Sequence, residues 1–255
     1  MAKTIRITLL LIVLLAVAQS AWKARARTTD WTETLRVVVY PINGDGSAAA
    51  DAYIATLRRP VLDAVPVFMA TQARFYDLPL RNPVDIFLAP RVADRPPAPP
   101  MHGSAFDNAT WSLKMRWWAW RHERYDGPRP HVRVFVQYFE PVSNRALAHS
   151  VGLRAGMIVV ANAFASGDEE GANNVVIAHE LLHTFGAGDK YDAASNMPSF
   201  PDGYAEPKAA PLYPQSKAEI MGGRIPRSRS EAEIPRSLEQ TVVGAMTARE
   251  INWLK

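Results

Sequence analysis

From residue 35 onward, short runs of β-branched residues alternate with longer stretches of helical spacing. Leu35–Tyr40 (LRVVVY) has the composition of a strand and is closed by Pro41 and the turn Asn43-Gly44-Asp45-Gly46. Between Ala48 and Tyr76 the apolar residues Tyr53, Ile54, Leu57, Val61, Leu62, Val65 and Phe68 follow a helical period. Pro60 and Pro66 are expected to kink or divide that helix. Val84–Leu88 reads as a short strand, and the proline-rich stretch 90–103 as an irregular surface loop. In Trp111–Trp120, Trp111, Leu113, Met115 and Trp117 alternate as in a strand, although a helix fits the same segment. Its tryptophans are expected to pack in the core rather than to wall a substrate site. His131–Tyr138 alternates cleanly, Met157–Ala161 is a buried strand, and Asn173–Phe185 is a helix. An irregular stretch from about Ala187 to Lys217 precedes a short terminal helix at Thr247–Leu254. The expected architecture is α+β: a mixed, twisted sheet, a long helix, a second helix after the last strand, and a small loop-rich C-terminal part.

Composition limits the chemistry. Hydrophobic residues make up 48% of the 255 and charged residues 21%, as in a globular protein. There is no cysteine, so a disulfide scaffold and a thiolate metal site are both excluded, and any metal must use His, Asp or Glu. The formal net charge of +4 suggests a polyanion partner until it is mapped. All of it lies in residues 1–30, which hold Lys3, Arg6, Lys23, Arg25 and Arg27 against Asp30 alone, while basic and acidic residues balance in 31–255. A balanced body removes the case for nucleic acid as a partner.

The same segment accounts for its own charge. Lys3 and Arg6 precede the apolar run Ile7–Ala18, and Ala18-Gln19-Ser20 has the small-x-small form of a cleavage site. Trp22, Lys23, Arg25 and Arg27 follow at once, which suits an uncleaved anchor equally well. Residues 1–22 are therefore expected to be a signal peptide or N-terminal membrane anchor, with 23–33 as linker. The domain 34–255 divides into an N-terminal part (34–186) and a C-terminal part (187–255). It would act outside the cytoplasm: periplasmic, anchored in the inner membrane, or secreted.

One stretch carries chemistry. In VVIAHELLHTFGAGDKYD (175–192), His179 and His183 are four residues apart, so a helix places both imidazoles on one face, one turn apart. Glu180 lies between them, where a carboxylate can take a proton from a water that the metal polarises. A zinc site needs a third protein ligand and one open position. Gly186 can end the helix in the left-handed region and let the chain turn back, which brings Asp189 within reach as a carboxylate ligand. Asp192 is a rival third ligand. A distant glutamate, Glu206 or Glu219, would be a thermolysin-like alternative that leaves Gly186 and Asp189 without a role.

His179-Glu180-x-x-His183-x-x-Gly186-x-x-Asp189 resembles the extended zinc motif of the metzincin metallopeptidases, in the snapalysin-like variant with Asp for the third His. Glu219-Ile220-Met221-Gly222-Gly223, about 30 residues on, is similar to their Met-turn. The resemblance implies a metzincin-like sheet followed by a zinc-binding helix, one zinc ion on His179, His183 and Asp189, Glu180 as general base, and Met221 beneath the metal. It also implies a metalloendopeptidase acting on peptides or proteins. Several metzincins carry a Tyr two residues after that Met. Gly223 stands there in this chain, leaving Tyr191, Tyr204 and Tyr213 as substitutes. Two other outcomes share the ligands: a non-catalytic zinc-binding envelope protein, and a zinc hydrolase of a non-peptide cell-wall amide.

Overall fold

The computed structural model describes Thr8 and residues 30–100, 104–154 and 156–255. The signal peptide or anchor expected at 1–22 lies outside the described residues apart from Thr8, as does most of the linker. Trp31, placed in the linker by sequence, belongs instead to the folded body. It is buried, its Nε1 donates to Ile251 O at 2.6 Å, and its ring meets Phe185 and Trp253 edge-on.

The protein is a mixed α/β fold around a five-stranded sheet in the order β2-β1-β3-β5-β4. The strands are β1 (Leu35–Asn43), β2 (Val84–Leu88), β3 (Val132–Phe139), β4 (Val151–Leu153) and β5 (Ile158–Phe164). The pairs β1–β2, β1–β3 and β3–β5 are parallel, and β4 runs antiparallel to β5 at the edge. A parallel strand covered on both faces reads as a continuous apolar run, which explains LRVVVY. Successive side chains point to opposite faces. Val37, Val39, Val134, Val136, Val159 and Ala161 enter one core. Val38, Tyr40, Ile42, Phe135, Ile158 and Val160 enter a second core on the other face.

Helices α1 (Ala48–Thr56) and α2 (Ala64–Phe75) replace the single helix expected over 48–76. A 3-10 turn, Arg59–Leu62, separates them. Pro60 and Pro66 both sit in first turns, where a missing N–H costs nothing, so they start elements rather than kink one.

Helix α3 (Ala105–His122) corrects the strand reading of the tryptophan segment. Ser104 and Asp107 form a reciprocal capping box at its start. The buried residues Met115, Trp118 and Ala119 follow helical spacing. The alternation of Trp111, Leu113, Met115 and Trp117 is therefore incidental. Trp118 packs in the second core, whereas Trp117 and Trp120 face solvent, against the expectation that all would be core.

Helix α4 (Glu170–Phe185) follows β5 and packs on the first core through Ile177, Ala178, Leu181 and Leu182. Beyond it the backbone is mostly irregular. It forms two small pairings, β6 (Ala218–Glu219) with β9 (Thr241–Val242) and β7 (Ile225–Pro226) with β8 (Ala232–Glu233), then α5 (Ala245–Glu250). No helix among the described residues is long and apolar enough to cross a membrane.

Candidate metal centre

The last two turns of α4 carry His179 and His183. The helix ends at Gly186, whose φ of 118° is left-handed; its N–H reaches His183 O and Leu182 O, and Ala187 N also closes on Leu182 O. A side chain at 186 would be strained by that backbone and would strike the Arg154 guanidinium 2.5 Å from the Cβ position. The turn carries the chain back over the histidines.

Each ring has its Nδ1 on a backbone carbonyl, His179 to Ile220 O at 2.9 Å and His183 to Ala187 O at 2.8 Å. Carbonyls only accept, so both protons are fixed on Nδ1 and both Nε2 lone pairs turn inward. The two Nε2 atoms are 3.1 Å apart, and Asp189 Oδ1 is 3.2 Å from each. Three acceptors thus converge. One shared proton satisfies two of them, whereas a divalent cation satisfies all three. Donors bound to one tetrahedral zinc at about 2.0–2.1 Å stand roughly 3.3 Å apart. The observed triangle has that size, so these residues fit the ion.

The charges agree with this. Burial works to raise the Asp189 carboxyl, but its contacts with both imidazoles hold it well below the usual carboxylate range. Burial works to lower His183, and Asp189, Glu180 and Ala187 O outweigh it, so the ring is raised. Both shifts describe a site that attracts positive charge.

Glu180 offers an oxygen within 4.8 Å of the two histidines. It is buried, and its Oε2 has no hydrogen-bond partner among the described residues. Burial, opposed by the two imidazoles, raises its carboxyl. An unpartnered buried carboxylate oxygen is costly. Beside the triangle of acceptors, that oxygen is open to accept a proton.

The rival ligands are engaged elsewhere. Asp192 is exposed and accepts from Ser195 N and Oγ, both at 2.8 Å. Glu206 holds Ser216 N and Oγ. Glu219 is fully buried and accepts from Gly222 N, Gly244 N and the Thr247 hydroxyl at 2.8, 3.0 and 2.7 Å. It braces the 219–223 turn, whose Ile220 carbonyl orients His179 and whose Met221 lies in the core with α4. Glu219→Gln places an amide N–H2 against a backbone N–H, of Gly222 or of Gly244, whichever oxygen it replaces. The expected result is a loss of about 1–3 kcal/mol, read as a lower midpoint in chemical denaturation.

Of the three tyrosines, Tyr191 is at the site, its ring centroid 6.5 Å from that of His179. It fills the side left open at Gly223, where a Cβ would meet Tyr191 Cδ1 at 4.0 Å. Burial, then the charges of Asp189 and Glu180, push its phenol up to about 12. Tyr204 and Tyr213 hydrogen bond each other at 2.8 Å.

Other contributors had no signal in the sequence. Lys190 is buried, and its Nζ reaches Gly188 O at 3.0 Å and Glu250 Oε2 at 2.7 Å. Glu250 also accepts from Gly188 N, so α5 clamps the loop that presents Asp189. Gly152 of β4 packs onto α4, where a Cβ would sit 2.7 Å from both His183 Cβ and Glu180 O. The charge of His149 also acts on Glu180, and the 149–153 segment borders the site. No family model and no curated protein matches the chain.

Proposed function

We propose that the chain is an exported, metzincin-like zinc endopeptidase that holds one ion with His179, His183 and Asp189. The observation that carries this is the 3.1–3.2 Å triangle of inward-facing acceptors beside the buried, unpartnered oxygen of Glu180. A zinc held there would polarise the scissile carbonyl and make the attacking water more acidic. Glu180 accepts the proton of that water and returns it to the leaving amine, and its raised basicity suits both transfers. The Tyr191 phenol stays protonated at neutral pH, so it can donate to charge developing on the carbonyl oxygen. Met221 and Glu219 hold the turn that fixes the His179 ring.

A peptide substrate is favoured by β4. It is the terminal strand of the sheet and packs against α4 at the site. An extended peptide can add to such an edge through its backbone, with its scissile bond beside Glu180.

Cleavage of an unstructured protein such as casein is expected to stop on treatment with 1,10-phenanthroline and to return with one equivalent of zinc. A protein that binds one zinc yet cleaves no peptide sinks the peptidase reading and leaves the structural or non-peptide-amide alternatives.

A further inference from the structure

We propose that the outward side of α3 is a docking face for the surface of an anionic phospholipid bilayer. The exposed apolar residues of this helix are Phe106, Leu113, Trp117 and Trp120, at 75%, 59%, 57% and 73% of full exposure. At 100° per residue they fall within an arc of about 60°, opposite the buried Met115 and Trp118. The side turned to solvent is thus as apolar as the side turned to the core. Soluble surfaces scatter such residues singly, and a contiguous stripe marks a contact site.

The residues beside the stripe select the partner. Arg121 and Lys114 flank it on one side and Arg116 on the other, with Arg124 just beyond the helix. The Arg121 guanidinium lies 5.7 Å over the Trp117 ring. Of the acids nearby, Asp107 caps the helix, Asp94 pairs with His122 and Glu123 pairs with Arg133, while Asp126 lies exposed beyond Arg124, outside the stripe. The face therefore presents indoles and a phenyl ring bordered by cations. This is the pattern of a segment lying in the headgroup region, with aromatic rings at the interface and lysine and arginine toward anionic lipid. A second copy of the chain suits it poorly, because a two-fold contact would bring same-sign flanks together. The apolar run Ile7–Ala18, behind Lys3 and Arg6, is independently suited to the same surface. The metal centre sits on α4, across the sheet from α3, so docking leaves it uncovered.

The chain has no cysteine, so one introduced thiol can be labelled uniquely. Full-length Leu113→Cys and Thr71→Cys proteins, each carrying an environment-sensitive dye, are mixed with phosphatidylglycerol-containing or pure phosphatidylcholine vesicles. Thr71 is exposed on α2, on the other side of the sheet. The label at 113 is expected to shift to the blue on phosphatidylglycerol vesicles while the label at 71 does not. Adding Lys114→Glu and Arg121→Glu should weaken that partition at least about tenfold. Three results overturn the proposal: a label at 113 that stays in water while the protein is vesicle-bound, a shift without vesicles that grows with protein concentration, or an equal shift on pure phosphatidylcholine.

Discussion

Glu180→Gln is expected to lower peptide cleavage about a thousandfold while one zinc ion remains bound. The substitution keeps the shape of the side chain and removes only its ability to take a proton. Glu180 lies outside the triangle formed by His179, His183 and Asp189, so the ion's donors are untouched. Its Oε2 has no partner among the described residues, so the amide breaks no existing hydrogen bond there. General acid–base catalysis contributes roughly 10²–10⁴ in rate, and in the proposed mechanism one carboxylate serves both transfers. The measurement is kcat/KM on a fluorogenic peptide, with bound zinc quantified in the same samples. If the variant keeps more than about a tenth of the activity, Glu180 is not the base. If it loses zinc in proportion to activity, Glu180 is a ligand.

The parts of this site that are local in sequence could be read from the sequence. His179, Glu180 and His183 depend only on helical spacing, and Gly186 on the conformation that ends a helix. The strands β1, β2 and β5 were legible as runs of apolar, mostly β-branched residues, and β3 through its alternation. β4 was not, since three half-exposed residues carry no such pattern. The alternation that misread α3 has a physical origin: with apolar residues on both sides of the helix, the pattern no longer shows which side is buried. The supports of the site were hidden for another reason. Ile220 O and Ala187 O act through the backbone, which every residue has. Glu219, Lys190 and Glu250 act through long-range contacts spanning from 25 to 62 positions. The choice among Tyr191, Tyr204 and Tyr213 rests on the open space at Gly223, which only the folded chain defines.

The clearest separation of ligand from neighbour is expected between Asp189→Asn and Asp192→Asn. In the first, the anionic oxygen 3.2 Å from both Nε2 atoms becomes a neutral amide. Loss of groups that merely orient a metal ligand costs about 10–100-fold in affinity, so loss of a ligand's charge should exceed about a hundredfold. In the second, the amide oxygen can still accept from Ser195 N and Oγ, as Asp192 does now. That variant should bind zinc as the parent does. Competition against a chromophoric chelator measures both affinities. Thermal unfolding provides a second reading, because ligand that binds only the folded state stabilises it by RT ln(1 + [L]/Kd). At zinc concentrations about a hundred times the parent's Kd, the parent gains about 2.7 kcal/mol, and Asp189→Asn should lose nearly all of it. Equal losses in the two variants would show that the 189–192 loop contributes through its fold. Full affinity in Asp189→Asn would remove Asp189 from the ligand set and leave the 3.1 Å histidine pair without its third donor.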